Sequence, residues 1–165
     1  MDMKQLFLLR HAKSSWDDLN LDDFDRPLND RGKKAAPLMG KVIRERKLKP
    51  DLILCSPSKR TKQTIKLVSE AAEFKTKVAF EERIYEASSA QLLEVLKEQG
   101  GKSDAILLVG HNPGMADLLT TLTGALEPFP TAALAAIDLD IEKWKAITGS
   151  AGKLRWIVRP KELKL

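Results

Sequence analysis

Apolar residues along the chain fall into short blocks, and their spacing alternates between two periods. "QLFLL" (5–9), "DLILC" (51–55) and "AILLVG" (105–110) are continuous apolar runs, as expected of strands covered on both faces. "KVAF" (77–80) reads as a further short strand. Between these runs the period becomes helical. Over 30–47, Ala35, Leu38, Met39, Val42 and Ile43 follow the i, i+3, i+4, i+7 spacing, with Asn29 as cap. "SPSKRTKQTIKLVSEAAE" (56–73) places Ser56 at an N-cap and Pro57 in the first helical position. "SSAQLLEVLKEQGG" opens with a Ser88–Gln91 capping box and is expected to bury Leu92, Leu93 and Leu96 before stopping at Gly100–Gly101. "NPGMADLLTTLTG" offers Asn112 as cap, Pro113 in the first turn, and Met115, Leu118, Leu119 and Leu122 on one face.

The C-terminal third changes character. "TAALAAIDLD" (131–140) and "KLRWIVRP" (153–160) read as strands, with no long helix between them and a turn at "TGSAG" (148–152). This predicts an antiparallel pair at the edge of the sheet. The expected architecture is a single α/β domain over 1–165: a three-layer sandwich with a mostly parallel central sheet, the antiparallel C-terminal strand pair, and helices on both faces.

Composition sharpens this outline in three ways. At 165 residues, 43% hydrophobic and only 5% aromatic, the chain suits one domain with an aliphatic core. The formal net charge of +5 favours anionic partners. The densest basic run, "RERKLK" (44–49), lies at a predicted helix end, where the helix dipole favours cations. Sparse aromatics and scattered basic residues offer no stacking platform, so no nucleic-acid partner is expected. The lone Cys55 excludes an internal disulfide and points to a reducing compartment, with its thiol expected to pack in its strand. No apolar run approaches a membrane span, and four consecutive apolar residues near the N-terminus are too few for a signal peptide. A cytoplasmic chain with no membrane partner is expected.

In open α/β sheets, ligands gather outside the carboxyl ends of the strands. Arg10 and His11 follow the first strand, "SPSKR" with Arg60 follows the second, "ERIYEAS" with Glu86 follows the third, and "GHNPG" with His111 follows the fourth. A histidine at one strand end is most often structural, and Arg60 or Glu86 alone is an ordinary surface residue. Both histidines and two arginines at one edge, however, form an anion site. Guanidinium groups match phosphate oxygens as a planar fork, and the helix starts after Ser56 and Asn112 add backbone N–H groups. Two arginines would repel a divalent cation, and no carboxylate pair lies at ligand spacing, so neither metal nor cofactor is expected. Walker and G-x-G-x-x-G loops are both missing. A histidine among cations should have a lowered pKa and keep a free lone pair at neutral pH, which makes it a nucleophile toward phosphorus.

"LLRHAKSSW", "SPSKRTKQT" and "GHNPG", in this order, resemble the histidine phosphatase superfamily, the phosphoglycerate-mutase-like fold. The short length and "DRPLNDRG" (25–32) are most similar to its SixA-type phosphohistidine phosphatases. The resemblance spans nearly the whole chain. It implies that His11 is the nucleophile that becomes phosphorylated, that Arg10 and Arg60 bind the phosphoryl group, and that His111 hydrogen-bonds it. Asn112 joins the substrate-binding set, and Glu86 takes the place of an acid that protonates the leaving group in several branches. The family's R-H-G is Arg10-His11-Ala12 here, and Lys13 and Asp17 depart from the mutase-like pattern; Asp17 is given no phosphate-binding role. Imidazole is a modestly basic leaving group, with a pKa of ~6.5. An alkoxide is far more basic, so Glu86 should matter more for an ester substrate.

Short segments between the motifs imply an open site, with 17–30 and "LEPFPTA" (126–132) as candidate covers. An open site favours a phosphatase over a mutase, which must retain its intermediate. The expected activity is metal-independent hydrolysis through a phosphohistidine intermediate, acting on a phosphoprotein, phosphohistidine in a signalling protein among them. The alternatives are a small-molecule phosphomonoesterase on the same site and a non-catalytic phosphate- or phosphoprotein-binding module.

Overall fold

The structure, a computed structural model, describes residues 3–163. In chain order it runs β1 (Lys4–Arg10), α1 (Asp30–Glu45), β2 (Leu52–Cys55), α2 (Lys59–Ala72), β3 (Val78–Phe80), α3 (Ser89–Gln99), β4 (Ala105–Gly110), α4 (Gly114–Thr123), β5 (Leu134–Leu139) and β6 (Gly152–Val158). Short 3-10 turns punctuate the connections, among them Asp23–Asp25 before α1 and Pro160–Glu162 after β6.

The six strands form one sheet in the order β3-β2-β4-β1-β5-β6. The pairs β2–β3, β2–β4 and β1–β4 are parallel; β1–β5 and β5–β6 are antiparallel. The expected α/β sandwich with its antiparallel C-terminal pair is therefore present. Only β5 is reversed, so one edge of the sheet gathers the carboxyl ends of β1–β4 and β6 and the amino end of β5.

The continuous apolar runs split into two cores because successive side chains point to opposite faces. Leu6 and Leu8 of β1, Leu54 of β2 and Ile106 and Leu108 of β4 pack with α3 and α4 through Leu92, Leu96, Met115, Leu118, Leu119 and Leu122. Phe7 and Leu9, Ile53 and Cys55, and Leu107 and Val109 pack on the other face with α1 and α2 through Met39, Ile43, Ile65 and Val68. Both-sided burial makes β1 and β4 rigid platforms for whatever follows them.

Capping holds at two of the expected sites. The Asn29 side chain accepts from the Gly32 amide, and Ser88 and Gln91 form the reciprocal capping box. At α2 the structure corrects the expectation. The cap is Ser58, whose side chain accepts from the Thr61 amide, and the helix begins at Lys59. The Ser56 amide still bonds the Val109 carbonyl at 3.1 Å, so the strand ladder runs one residue past β2 and Pro57 lies in the turn. Arg60 is thereby the second residue of α2. Two apolar faces are also rotated slightly from their expected positions. Ala36 and Gly40 are buried in α1 while Ala35 and Leu38 are half-buried, and Val95 rather than Leu93 is buried in α3.

Candidate active site

The ladder between β1 and β4 continues one step past β1: the His11 amide donates to the carbonyl of Gly110, the last residue of β4, at 3.0 Å. This register sets His11 and His111 side by side, ring centroids 5.2 Å apart and tilted by 51°. Four further bonds hold the turn after β1. The Ala12 amide donates to Thr64 Oγ1 at 3.0 Å, and that hydroxyl donates to the Arg60 carbonyl at 2.7 Å. The Ala132 amide reaches the carbonyls of both Arg10 and His11, at 3.1 and 2.9 Å, from a left-handed backbone with φ 62°. Ala12 itself is fully buried and has no positive φ, so its methyl group costs no strain where the family carries glycine.

The two imidazoles are tied down through opposite nitrogens. His11 Nδ1 lies 2.7 Å from the Ala12 carbonyl, which only accepts, so Nδ1 carries the proton and Nε2 keeps its lone pair. His111 is held at Nε2, 2.8 Å from the Ser56 hydroxyl. Ser56 is fully buried and accepts from the Ser58 amide at 3.4 Å; its hydroxyl proton is satisfied by donation to His111 Nε2. The neutral His111 ring then carries its proton on Nδ1.

Burial pushes the His11 pKa down to about 4; the Ala12 hydrogen bond opposes this, and the charges of Arg60, Arg10 and Arg26 add to it. Burial likewise takes His111 to about 3, followed by His11 and Arg60. The lowered pKa expected of a histidine among arginines is present, but desolvation is its larger cause.

Two arginines complete the cluster. Arg10 Nη1 donates to the Phe129 carbonyl at 3.2 Å, an acceptor it shares with Asn112 Nδ2 at 2.9 Å. Asn112 Oδ1 accepts from the Ala116 amide in the first turn of α4, so this residue fastens the 124–133 segment to the helix start. Burial and the neighbouring Arg60 lower the Arg10 pKa. Arg60 is buried and donates from Nη1 to the Asp23 carbonyl at 2.7 Å and from Nη2 to Asp23 Oδ2 at 3.0 Å. Arg10 Nε, Arg60 Nε and His111 Nδ1 are buried and find no partner among the described residues. Unpaired buried donors are costly. A tetrahedral oxyanion, with several acceptors on one centre, suits such a set.

Asp23, Arg26 and Tyr85 were not singled out from the sequence, and the structure brings all three to the site. Asp23 accepts from Arg60, from Arg26 Nη1 at 2.8 Å and from the Tyr85 hydroxyl at 2.6 Å. Burial alone would raise the Asp23 carboxyl, but the hydrogen bonds from Tyr85, Arg60 and Arg26 outweigh it and hold the pKa at about 2. Arg26 is buried, bonds the Ser15 carbonyl and the Ser14 hydroxyl, and stacks on Trp16 at 3.3 Å. The Tyr85 ring stands edge-on to His111 at 5.4 Å and to Phe24 at 5.0 Å. Its phenol is pushed up by burial and by Asp23. "DRPL" was the available signal, since it holds Arg26, but no periodicity announces where a loop carboxylate lands.

The remaining candidates lie further out. Glu86 is exposed, has a left-handed backbone with φ 55°, and makes no ion pair or side-chain hydrogen bond among the described residues. Asp17 and Lys13 are exposed. Cys55 is fully buried, and burial pushes its thiol up, away from the reactive thiolate. Among the described residues no three His, Cys, Asp or Glu side chains form a group suited to a metal ion.

A model of the histidine phosphatase superfamily (branch 1) matches residues 6–92, which run from β1 past Arg60 into α3. The chain belongs to the histidine phosphatase superfamily. An uncharacterized chloroplastic protein of Arabidopsis thaliana is 31% identical over 95% of this chain and 78% of its own length. An uncharacterized protein of Mycobacterium tuberculosis is 31% identical over 78% of this chain and 85% of its own. Among solved structures, an Agrobacterium tumefaciens chain assigned as the phosphohistidine phosphatase SixA is 29% identical. It superposes with a TM-score of 0.82, covering 95% of this chain and 98% of that one. The protein histidine phosphatase SixA complexed with tungstate shares the fold, with a TM-score of 0.83 at 23% identity over 97% and 99% of the two chains. Family and neighbours support a phosphatase, a hydrolase of phosphorylated substrates that works through histidine. Among the described residues no helix is long and apolar enough to cross a membrane.

Proposed function

We propose that the chain is a metal-independent phosphatase in which His11 Nε2 attacks phosphorus, and that its substrate is phosphohistidine on a protein. The observation that carries this is the pairing at His11: Nδ1 is tied to the Ala12 carbonyl at 2.7 Å, which leaves Nε2 neutral and free beside Arg10, Arg60 and His111. Attack on a phosphohistidine protonated at its other ring nitrogen forms the Nε2–P bond and breaks the substrate's P–N bond, whose electron pair leaves on a departing neutral imidazole. Water then cleaves Nε2–P, giving inorganic phosphate and restoring neutral His11. Arg10, Arg60 and the Nδ1–H of His111 stabilise the equatorial oxygens as charge builds. Asn112 acts with Arg10 through their shared Phe129 carbonyl.

Leaving-group chemistry favours the phosphoramidate over an ester. Asp23, the carboxylate fastened to the cluster, is held ionised and has no proton to give. Glu86 is exposed beside Tyr85 and would serve as an acid only for ester substrates. The chain is taken to work as one catalytic domain, in the cytoplasm.

The test is turnover of phosphohistidine and of an aryl phosphate in excess EDTA, by the wild type and by His11→Ala. Phosphate release by the wild type alone, with faster turnover of phosphohistidine, supports the proposal. Release that persists in His11→Ala, or that EDTA abolishes, overturns it. Glu86→Gln is expected to slow an alkyl phosphate more than phosphohistidine.

A further inference from the structure

A second basic feature lies beside the phosphoryl cluster, on the α1 face of the same sheet edge. It is a groove of about 470 Å³, within the size range of small-molecule sites. Lys13, Arg31, Lys34 and Lys161 line it, and Leu38 and Pro160 supply apolar surface. Among the described residues no acidic side chain lines it. None of the four cations forms an ion pair among the described residues, although ten such pairs occur elsewhere. Four uncompensated charges thus converge on a chain whose formal surplus is only +5. The groove also accounts for Leu38, an apolar position of the α1 pattern that stays half-buried instead of entering the core.

The groove and His11 share a frame. Lys13 is two residues past His11, and its carbonyl accepts from the Asn29 amide at 2.9 Å. Gly32 packs so tightly on Lys13 that a Cβ there would sit 2.2 Å from the Lys13 carbonyl oxygen. The start of α1, with Arg31 and Lys34, is therefore pinned to the turn that carries the nucleophile. On the opposite wall, Thr131 precedes Ala132, whose amide holds the carbonyls of Arg10 and His11.

We propose that this groove is a second anion subsite. It takes a carboxylate or phosphate group remote from the transferred phosphoryl group, on a substrate whose apolar body rests on Leu38 and Pro160. The inference rests on the phosphatase reading above and narrows its substrate to one with two separated anionic groups. Exposed cations in a groove attract an anion through a field that salt screens, so selection here should weaken as ionic strength rises.

The test uses phenylphosphonates, which bind without turning over, carrying a para-alkyl chain that ends in a carboxylate or in the matched neutral amide. Chain lengths of about one to six carbons cover the reach of a few residues. Dissociation constants at low salt are compared for the wild type and for Lys34→Glu/Lys161→Glu, both changes at exposed positions. The expected result is at least one chain length at which the wild type prefers the carboxylate about tenfold, with the preference lost in the double variant. Equal affinity for carboxylate and amide at every length overturns the proposal. So does equally tight binding of the phenylalkyl carboxylate without its phosphonate, which would make the groove an independent anion site. Turnover of unsubstituted phenyl phosphate serves as the separate control. It should change by less than about threefold in the double variant, and its absence in the wild type would strike the phosphatase reading and leave the binding comparison standing.

Discussion

The ends of β1 and β4 carry the same residue on adjacent strands, and they fix it in opposite senses. At the β1 end, the next carbonyl in the chain takes the Nδ1 proton of His11 and leaves Nε2 as a base. At the β4 end, a hydroxyl from the turn after β2 holds Nε2 of His111 and leaves Nδ1 as a donor. Neither ring is set by its own titration; the acceptor or donor that each backbone turn presents chooses the tautomer. Two neutral histidines in one pocket can thus take different roles, one forming a bond to phosphorus and the other donating to its oxygens.

The most severe test of this division replaces each ring in turn. His11→Ala should remove turnover by at least ~10⁴-fold, the scale for losing a nucleophile, and no phosphoenzyme should be trapped. His111→Ala should lower kcat/KM by ~10²–10³-fold, the scale for one donor to a developing oxyanion, while a labelled phosphoenzyme still forms slowly. Quench-flow labelling separates the two. A phosphoenzyme in His11→Ala would reverse the assignment.

Acid should act on both rings together. The chain has only two histidines, so their titration can be followed by NMR without assignment. Both should titrate well below the free-imidazole value of ~6.5, toward about 4 for His11 and about 3 for His111. The limb of kcat/KM that reports neutral His11 should fall near pH 4. Stability follows with a defined sign. Between pH 6.5 and 4 the unfolded chain binds more protons than the folded one, so stability is lost as pH falls through that window. The His111 contribution continues to about pH 3. Asp23 acts in the same direction lower down, because its folded pKa of about 2 lies below the ordinary carboxyl value of 3.8. Since burial outweighs the arginines, Arg60→Gln should leave both rings titrating below pH 6. A return of either to 6.5 would make the arginine charge the dominant cause.

Ser56→Ala probes the β4 side more gently. The ring of His111 stays, but its Nε2 loses the Ser56 hydroxyl that fixes the tautomer. Loss of one hydrogen bond of ~0.5–1.5 kcal/mol corresponds to a fall in kcat of about two- to tenfold, with KM little changed. Ser56→Thr, which keeps the hydroxyl, should recover most of it. A variant that is merely less stable, with kcat intact, would reduce Ser56 to packing.

How much of this site was readable beforehand depends on what positions each group. His11 and His111 follow apolar runs buried on both faces, and such runs advertise central strands, so the sequence pattern places both rings at one edge. Ser56 was misread because "SPS" holds two serines that can cap, and whether the strand ends at residue 55 or 56 depends on the tertiary bond from Ser56 to Val109. Asp23 meets Arg60 across 37 positions of sequence, from a loop without periodicity. Glu86 is exposed and left-handed in a short connection, a backbone state that no hydrophobic pattern announces. Strand-borne chemistry was legible; loop-borne chemistry was not.

That contrast predicts the smallest effects for the loop. Asp23 joins Arg60, Arg26 and Tyr85, but its side chain is 43% exposed, and solvent screens such a carboxylate. Asp23→Ala takes the shared acceptor from three donors, while the Arg60 bond to the Asp23 backbone carbonyl remains available. A KM increase of ~3–10-fold with kcat nearly unchanged is expected, about the worth of one hydrogen bond. Asp23→Asn, which keeps part of the anchor and removes the charge, should lie between Asp23→Ala and the wild type. If Asp23→Asn instead binds phosphate more tightly than the wild type, the carboxylate competes with substrate for Arg60, and the loop restrains the site that it was taken to support.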